Sequence, residues 1–171
     1  MRACRALRIG LALLVLLPAS AAFGQVEPRS PVHRTVNGVF VLCPQLVRTG
    51  AAPDAARLAS LGFRPSDPRA PGELWFSGEG DHGVLAVGFD PSNRRCTLHY
   101  AGGGYEQISG MVRDTVVQNG FTRLTGGDQD GARADVFEGA TPRGVGRTRI
   151  IIIENRSQPS AAISYAERAE P

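Results

Sequence analysis

Between Tyr105 and Asn119 the positions Ile108, Met111, Val112, Thr115 and Val116 recur at spacings of three and four, with Glu106, Arg113, Asp114 and Gln118 opposite them. This period predicts an amphipathic helix, and Gly120 supplies its stop. A shorter helix is expected from Pro53 and Asp54 through Ala55, Leu58, Ala59 and Leu61, ended by Gly62. The segment from Gly38, with Asn37 as its cap, places Val39, Phe40, Cys43 and Val47 on one face. Pro44 lacks a backbone donor and crowds the carbonyl four residues back, so a short or kinked helix is expected there, with a strand as the alternative.

Strand patterns fill most of the rest. Glu73 to Ser77 is one, and Gly83 to Phe89 and Cys96 to Ala101 flank the turn sequence Asp90-Pro91-Ser92-Asn93. With Phe89 opposite Cys96, Val87 faces Leu98 and Leu85 faces Tyr100, which gives the hairpin one apolar face with Cys96 on it. Further strands are expected at Ala132 to Glu138, Arg147 to Asn155 and Ala161 to Ala166. The unbroken run Ile150 to Ile153 predicts a strand covered on both faces. Each half runs from a helix ending in Gly-Phe, at Gly62-Phe63 and Gly120-Phe121, into three strands, and Asp90-Pro-Ser-Asn matches Glu154-Asn-Arg-Ser. The pattern predicts an α+β fold in which an αβββ unit is used twice, over residues 53–101 and 105–166, with helices packed on one side of antiparallel sheet.

The N-terminus changes where this domain is expected to work. Arg2, Arg5 and Arg8 precede the apolar run Ile9 to Leu17, and Pro18 leads into small residues up to Gly24. A run this short cannot span a bilayer, and residues 1–24 read as a secretory signal peptide. Cleavage after Ala21 or Gly24 satisfies the small-residue rule, and Gly24 is preferred. Cys4 precedes the apolar run, which rules out a lipoprotein signal. Residues 25–36, with Pro28 and Pro31, read as a flexible arm before a single domain at 37–171.

Removing the leader also changes the charge. Three of the 19 basic residues and none of the 16 acidic ones lie in it, so the mature chain balances at 16 and 16. The basic character of the whole chain therefore gives no reason to expect nucleic acid or a membrane surface as a partner. All basic residues are arginine, which removes Walker-lysine, Schiff-base and Ser-Lys chemistry. Two cysteines remain after the leader, Cys43 and Cys96. In an oxidising compartment they are expected to pair, closing a loop worth roughly 4 kcal/mol in the chain-entropy model.

An early helical cysteine and a second one in a hairpin strand resemble the layout of small exported bacterial single-disulfide α+β proteins of unknown function. The resemblance spans most of Val36 to Ala166. It implies the fold and the compartment and carries no catalytic residue.

Candidate chemistry is sparse. Gly102-Gly103-Gly104 before the long helix could offer N–H groups to an anion, and Arg94 and Arg95 at the hairpin tip could share an anion-binding edge with Arg143, Arg147 and Arg149 near the second-half turn. Against these stand a plain tight connection and solvated surface arginines. Gly126 to Gly131 fails as a calcium loop, because Gly126 and Phe137 fall where carboxylates are needed, and reads as a polar turn. His33 lies in the arm, and His82 and His99 are too far apart along one hairpin face to share a metal. Asp81-His82 sits in a glycine-rich turn. No pattern calls for a catalytic residue, a metal or a cofactor.

The sequence thus points to an exported domain, periplasmic or extracellular, that binds a protein or envelope component without catalysis. A hydrolase assembled from dispersed Asp, Glu and His residues, or an inhibitor or immunity-type protein, are the competing readings. Intact-mass measurement of the exported protein should find a chain beginning near Gln25; a membrane-bound species retaining Met1 would contradict the leader assignment.

Overall fold

A computed structural model describes residues 30–78, 83–141 and 146–168, with side chains from 30–78, 85–141 and 146–168. The expected leader, residues 25–29 of the expected arm, Asp81, His82 and Arg143 lie outside the described residues.

A single eight-stranded antiparallel sheet carries the fold, in the order β1-β2-β3-β4-β8-β7-β6-β5. The strands are β1 (Phe63–Ser66), β2 (Leu74–Gly78), β3 (Gly83–Asp90), β4 (Arg95–Gly102), β5 (Thr122–Gln129), β6 (Ala132–Ala140), β7 (Arg147–Asn155) and β8 (Ser160–Arg168). Each half is a four-stranded meander, and the two join where β4 pairs with β8, from Arg95↔Ala166 to Ala101↔Ser160. The α+β class and the helices on one side are as expected, and the β3–β4 register is the one inferred, Phe89↔Cys96, Val87↔Leu98 and Leu85↔Tyr100.

The repeated unit has four strands rather than three. β1 contains Pro65, and β5, Thr-Arg-Leu-Thr-Gly-Gly-Asp-Gln, is exposed along its whole length, so neither carries the apolar alternation that marks a strand. Both are edge strands held by one neighbour. The expected turn at Gly126 to Gly131 shrinks to Asp130-Gly131, both at positive φ, with the residues before them paired to β6. The repeated turns are offset by one from the expected match: Asp90 and Asn155 are the equivalent positions, each accepting the backbone N–H two residues on, from Ser92 and Ser157.

The helical layer begins earlier than expected. Ser30 caps α1 (Pro31–Asn37) by accepting from the His33 N–H, so the supposed arm is helical from Pro31, with Arg34 and Thr35 buried. The helix continues through a π segment (Gly38–Leu42) into α2 (Cys43–Thr49). There the Cys43 N–H reaches back five residues to the Gly38 carbonyl. Pro44 follows directly, and widening the turn is a way for the chain to pass a proline without breaking the helix. Asn37 is therefore no cap; its side-chain amide points to the Leu61 carbonyl.

Helix and sheet approach closely at Gly38. A Cβ there would stand 2.5 Å from a Leu98 methyl carbon, so only glycine allows this approach. Beyond it, Val39, Leu42, Cys43, Leu46 and Val47 are buried against β3, β4 and β8. Helix α3 (Ala55–Ser60), capped by Asp54, packs on β1, and α4 (Tyr105–Gln118) buries Ile108, Val112 and Val116 over β4, β7 and β8. Among the described residues, no helix is long and apolar enough to cross a membrane.

Cys43 and Cys96 form a disulfide across the helix–sheet contact, with Cα atoms 5.4 Å apart and a sequence separation of 53. Replacing both by serine should cost roughly 2 to 5 kcal/mol, read as a fall in the denaturant midpoint, while the circular dichroism spectrum at low temperature stays native. An unchanged midpoint would show that the bond contributes nothing to stability.

Candidate functional site

Helices cover one face of the sheet, and the residues of alternate parity lie on the other. Two rows cross its centre there. One runs Ala86, His99, Ala162, Ile153 through strands β3, β4, β8 and β7, and the next runs Ala101, Ser160, Asn155. Alanines at the middle of a sheet leave space that larger side chains would fill. The result is a groove of about 360 Å³, in the range of small-molecule sites. It straddles the seam between the two halves.

The isoleucine run contributes directly. Ile150 and Ile152 are buried under the helices, but Ile153 remains 41% exposed and Ile151 half-buried, which corrects the expectation of a strand covered on both faces. Ile153 forms one wall of the groove. The opposite wall is His99, whose imidazole stacks on Trp75 at 5.7 Å between ring centres and 18° between planes. Trp75 lies across Gly88, where its indole comes within 2.7 Å of the position a Cβ would take, so glycine is required beneath it. Its Nε1 donates to a Glu73 carboxylate oxygen at 2.6 Å. Arg69, from the β1–β2 connection, lies over the indole at 4.1 Å and reaches the groove rim. Burial, and secondarily the charge of Arg69, hold the His99 pKa below the ordinary histidine value, so the ring is neutral near pH 7.

A second cluster of ionisable groups lies on the helix-covered face of the second half. Asp135, fully buried, receives Arg113 Nε at 2.6 Å, Arg133 Nε at 3.1 Å and an Arg123 guanidinium N–H. Glu154 accepts from Arg113 Nη1 at 2.7 Å and from the Ser109 hydroxyl. Arg113 was expected on the outer side of the long helix; it stands instead at the flank of the buried stripe and reaches under it. Burial by itself would raise both carboxyl pKa values, but hydrogen bonds and charges from these arginines outweigh it and hold Asp135 and Glu154 below the carboxylate range. Groups kept ionised in this way brace α4 and do not act as proton donors near neutrality.

The other residues singled out in the sequence do not meet here. Arg94 and Arg95 stand at one end of β4 and Gly102 to Gly104 at the other, roughly 23 Å apart along a regular strand. Arg94 donates to the Val47 carbonyl at 2.5 Å, near the end of α2, where a cation suits the helix dipole. Gly104, at φ 78°, turns the chain into α4, and Glu106 places a negative charge in the first helical turn. Arg147 and Arg149 pair with Glu138 at 2.6 and 3.2 Å. His33 sits in α1, away from His99. The groove leaves no sign in the sequence: Trp75 and Arg69 belong to no motif, and alanines give no signal for the space above them.

No protein-family model, curated protein or solved structure matches the chain, so the functional reading rests on this geometry.

Two measurements test the two clusters. The emission of Trp75, the only tryptophan in the chain, should be quenched as His99 protonates, with a midpoint below 6.5. Replacing Arg69 by glutamine should raise that midpoint without restoring it fully, since burial remains; a midpoint at or above 6.5 in the native protein would remove the buried, neutral histidine. For the ion network, Asp135→Asn leaves three guanidinium groups facing a neutral partner and should cost roughly 3 to 5 kcal/mol by chemical denaturation at pH 7. Because the folded-state pKa values are depressed, the stabilisation is complete above the ordinary carboxylate range and lost as pH falls from that range through the lower folded-state values. The acid limb of the stability profile should therefore flatten in Asp135→Asn.

Proposed function

We propose that this is an exported, non-enzymatic binding module that takes its ligand in the groove on the open face of the sheet. The leader-like N-terminus supports export to the periplasm or beyond. The observation that carries the binding role is the groove: the central strands place alanines where larger side chains would close the surface, between a wall built by Trp75, His99 and Arg69 and another built by Ile153. A hydrolase would need acid and base groups together, yet the carboxylates of Asp135 and Glu154 lie across the sheet from His99 and are committed to arginine. Balanced charge after the leader favours a small molecule or envelope component over nucleic acid.

Native mass spectrometry of the protein recovered from its own exported fraction tests the reading. A bound molecule should be present on the natural chain and absent from Ala162→Leu, which fills the groove floor. Retention of the same mass by a folded Ala162→Leu protein would place binding elsewhere, and turnover of that molecule by the purified protein would replace the module with an enzyme.

A further inference from the structure

The chemistry of the groove narrows the ligand, on the premise that the groove is the binding site. We infer that it takes a small monoanionic carboxylate with a planar apolar body.

The planar body follows from the cross-strand row. Ala86, His99, Ala162 and Ile153 stand opposite one another on four neighbouring strands. His99 and Ile153 are therefore separated by β8 alone, and their backbones lie roughly 10 Å apart with only the Ala162 methyl between them. After the thickness of an imidazole on one side and a branched aliphatic chain on the other, what remains is a slot about one flat group wide. Trp75 stacks on His99 and fixes the ring, which gives the slot a rigid aromatic wall suited to offset stacking. A bulky aliphatic body would need one wall to move.

The negative charge follows from the rim. Arg69 is the one charged side chain among the described residues that line the groove, and no carboxylate pairs with it among them. Its guanidinium is held by the Trp75 ring at 4.1 Å, and stacking leaves the edge donors of the fork free for a carboxylate. His99, kept neutral, adds no second charge that would call for a dianion, and no hydrogen bond from its ring to a described residue is present. Asn155 spends its side-chain oxygen on the Ser157 and Gln158 N–H groups, and its amide NH₂ is a further donor on the far row.

Three probes of similar size separate these features in isothermal titration calorimetry on the mature protein: cinnamate, its neutral counterpart cinnamyl alcohol, and cyclohexanecarboxylate, charged but not flat. Cinnamate should bind most tightly, by roughly tenfold over each of the others, the equivalent of one charge-assisted hydrogen bond for the alcohol. Arg69→Gln should remove the preference over cinnamyl alcohol and leave the alcohol's affinity unchanged. Ala162→Leu should abolish binding of all three. Because that variant could fail to fold, backbone and methyl chemical shifts of the natural protein provide a second readout, with the largest cinnamate-induced changes expected at Ala86, His99 and Ala162. Equal binding of cinnamate and cinnamyl alcohol would overturn the anionic class, and equal binding of cinnamate and cyclohexanecarboxylate the planar one. Both results leave the groove standing if shifts still map there. Shifts confined to other residues, or no binding of cinnamate, would overturn the inference, while a co-purified molecule lost in Ala162→Leu would keep the groove as a site for another ligand.

Discussion

The ladder between β4 and β8 is the contact on which the rest of the molecule depends. Without it there are two four-stranded meanders, each with a central strand exposed at an edge, and such edges invite association with other chains. With it there is one sheet whose free edges are β1, only four residues long and containing Pro65, and β5, which carries a bulge between Arg123 and Thr125. The ladder also unites the two faces. On one side it brings Cys96, Leu98, Ile163 and Tyr165 together as the bed for the helices; on the other it sets Ala101 beside Ser160 and His99 beside Ala162, and so makes the groove.

The halves share a plan and solve different packing problems. In the first, the helix descends far enough at Gly38 to touch Leu98 directly, and a disulfide fixes the contact. In the second, Asp135 and Glu154 occupy helix-facing positions next to Phe137, Ile150 and Ile152, and α4 reaches them with Arg113 and Ser109. Apolar contact needs only proximity, whereas the ion network holds α4 at one azimuth through directed bonds. Buried charges of this kind cost desolvation that their pairing has to offset, so the network is better regarded as fixing orientation than as adding net stability.

What the sequence revealed and what it concealed divides along physical lines. The long helix, the β3–β4 register and the cysteine pairing were legible because each leaves a local period or a small number of partners: three- and four-residue spacing for Ile108, Val112 and Val116, two-residue alternation for Leu85, Val87 and Phe89. Edge strands β1 and β5 were missed because neither alternates; their pairing is set by the neighbouring strand. The start of the first helix was placed late because Ser30 and Pro31, a good cap and a good first residue, were read as parts of a loose arm. Of the groove, the sequence shows only that His99 lies on a face of the first hairpin. A vacancy above alanines is a property of what surrounds them, and Trp75 and Arg69 arrive from a short strand and a connection with no motif of their own.

The position of β8 has a consequence for how the chain is made. Among the described residues it is the last strand in sequence and among the most central in space, paired on both sides, and its partner β4 lies some sixty residues earlier. A chain emerging N-terminus first can form local hairpins and α4 early, but its core stays open along one flank of β4 until β8 is available. Closure of the seam is therefore a late, long-range step, and until β8 docks the unpaired flank of β4 is the place where a wrong strand could add.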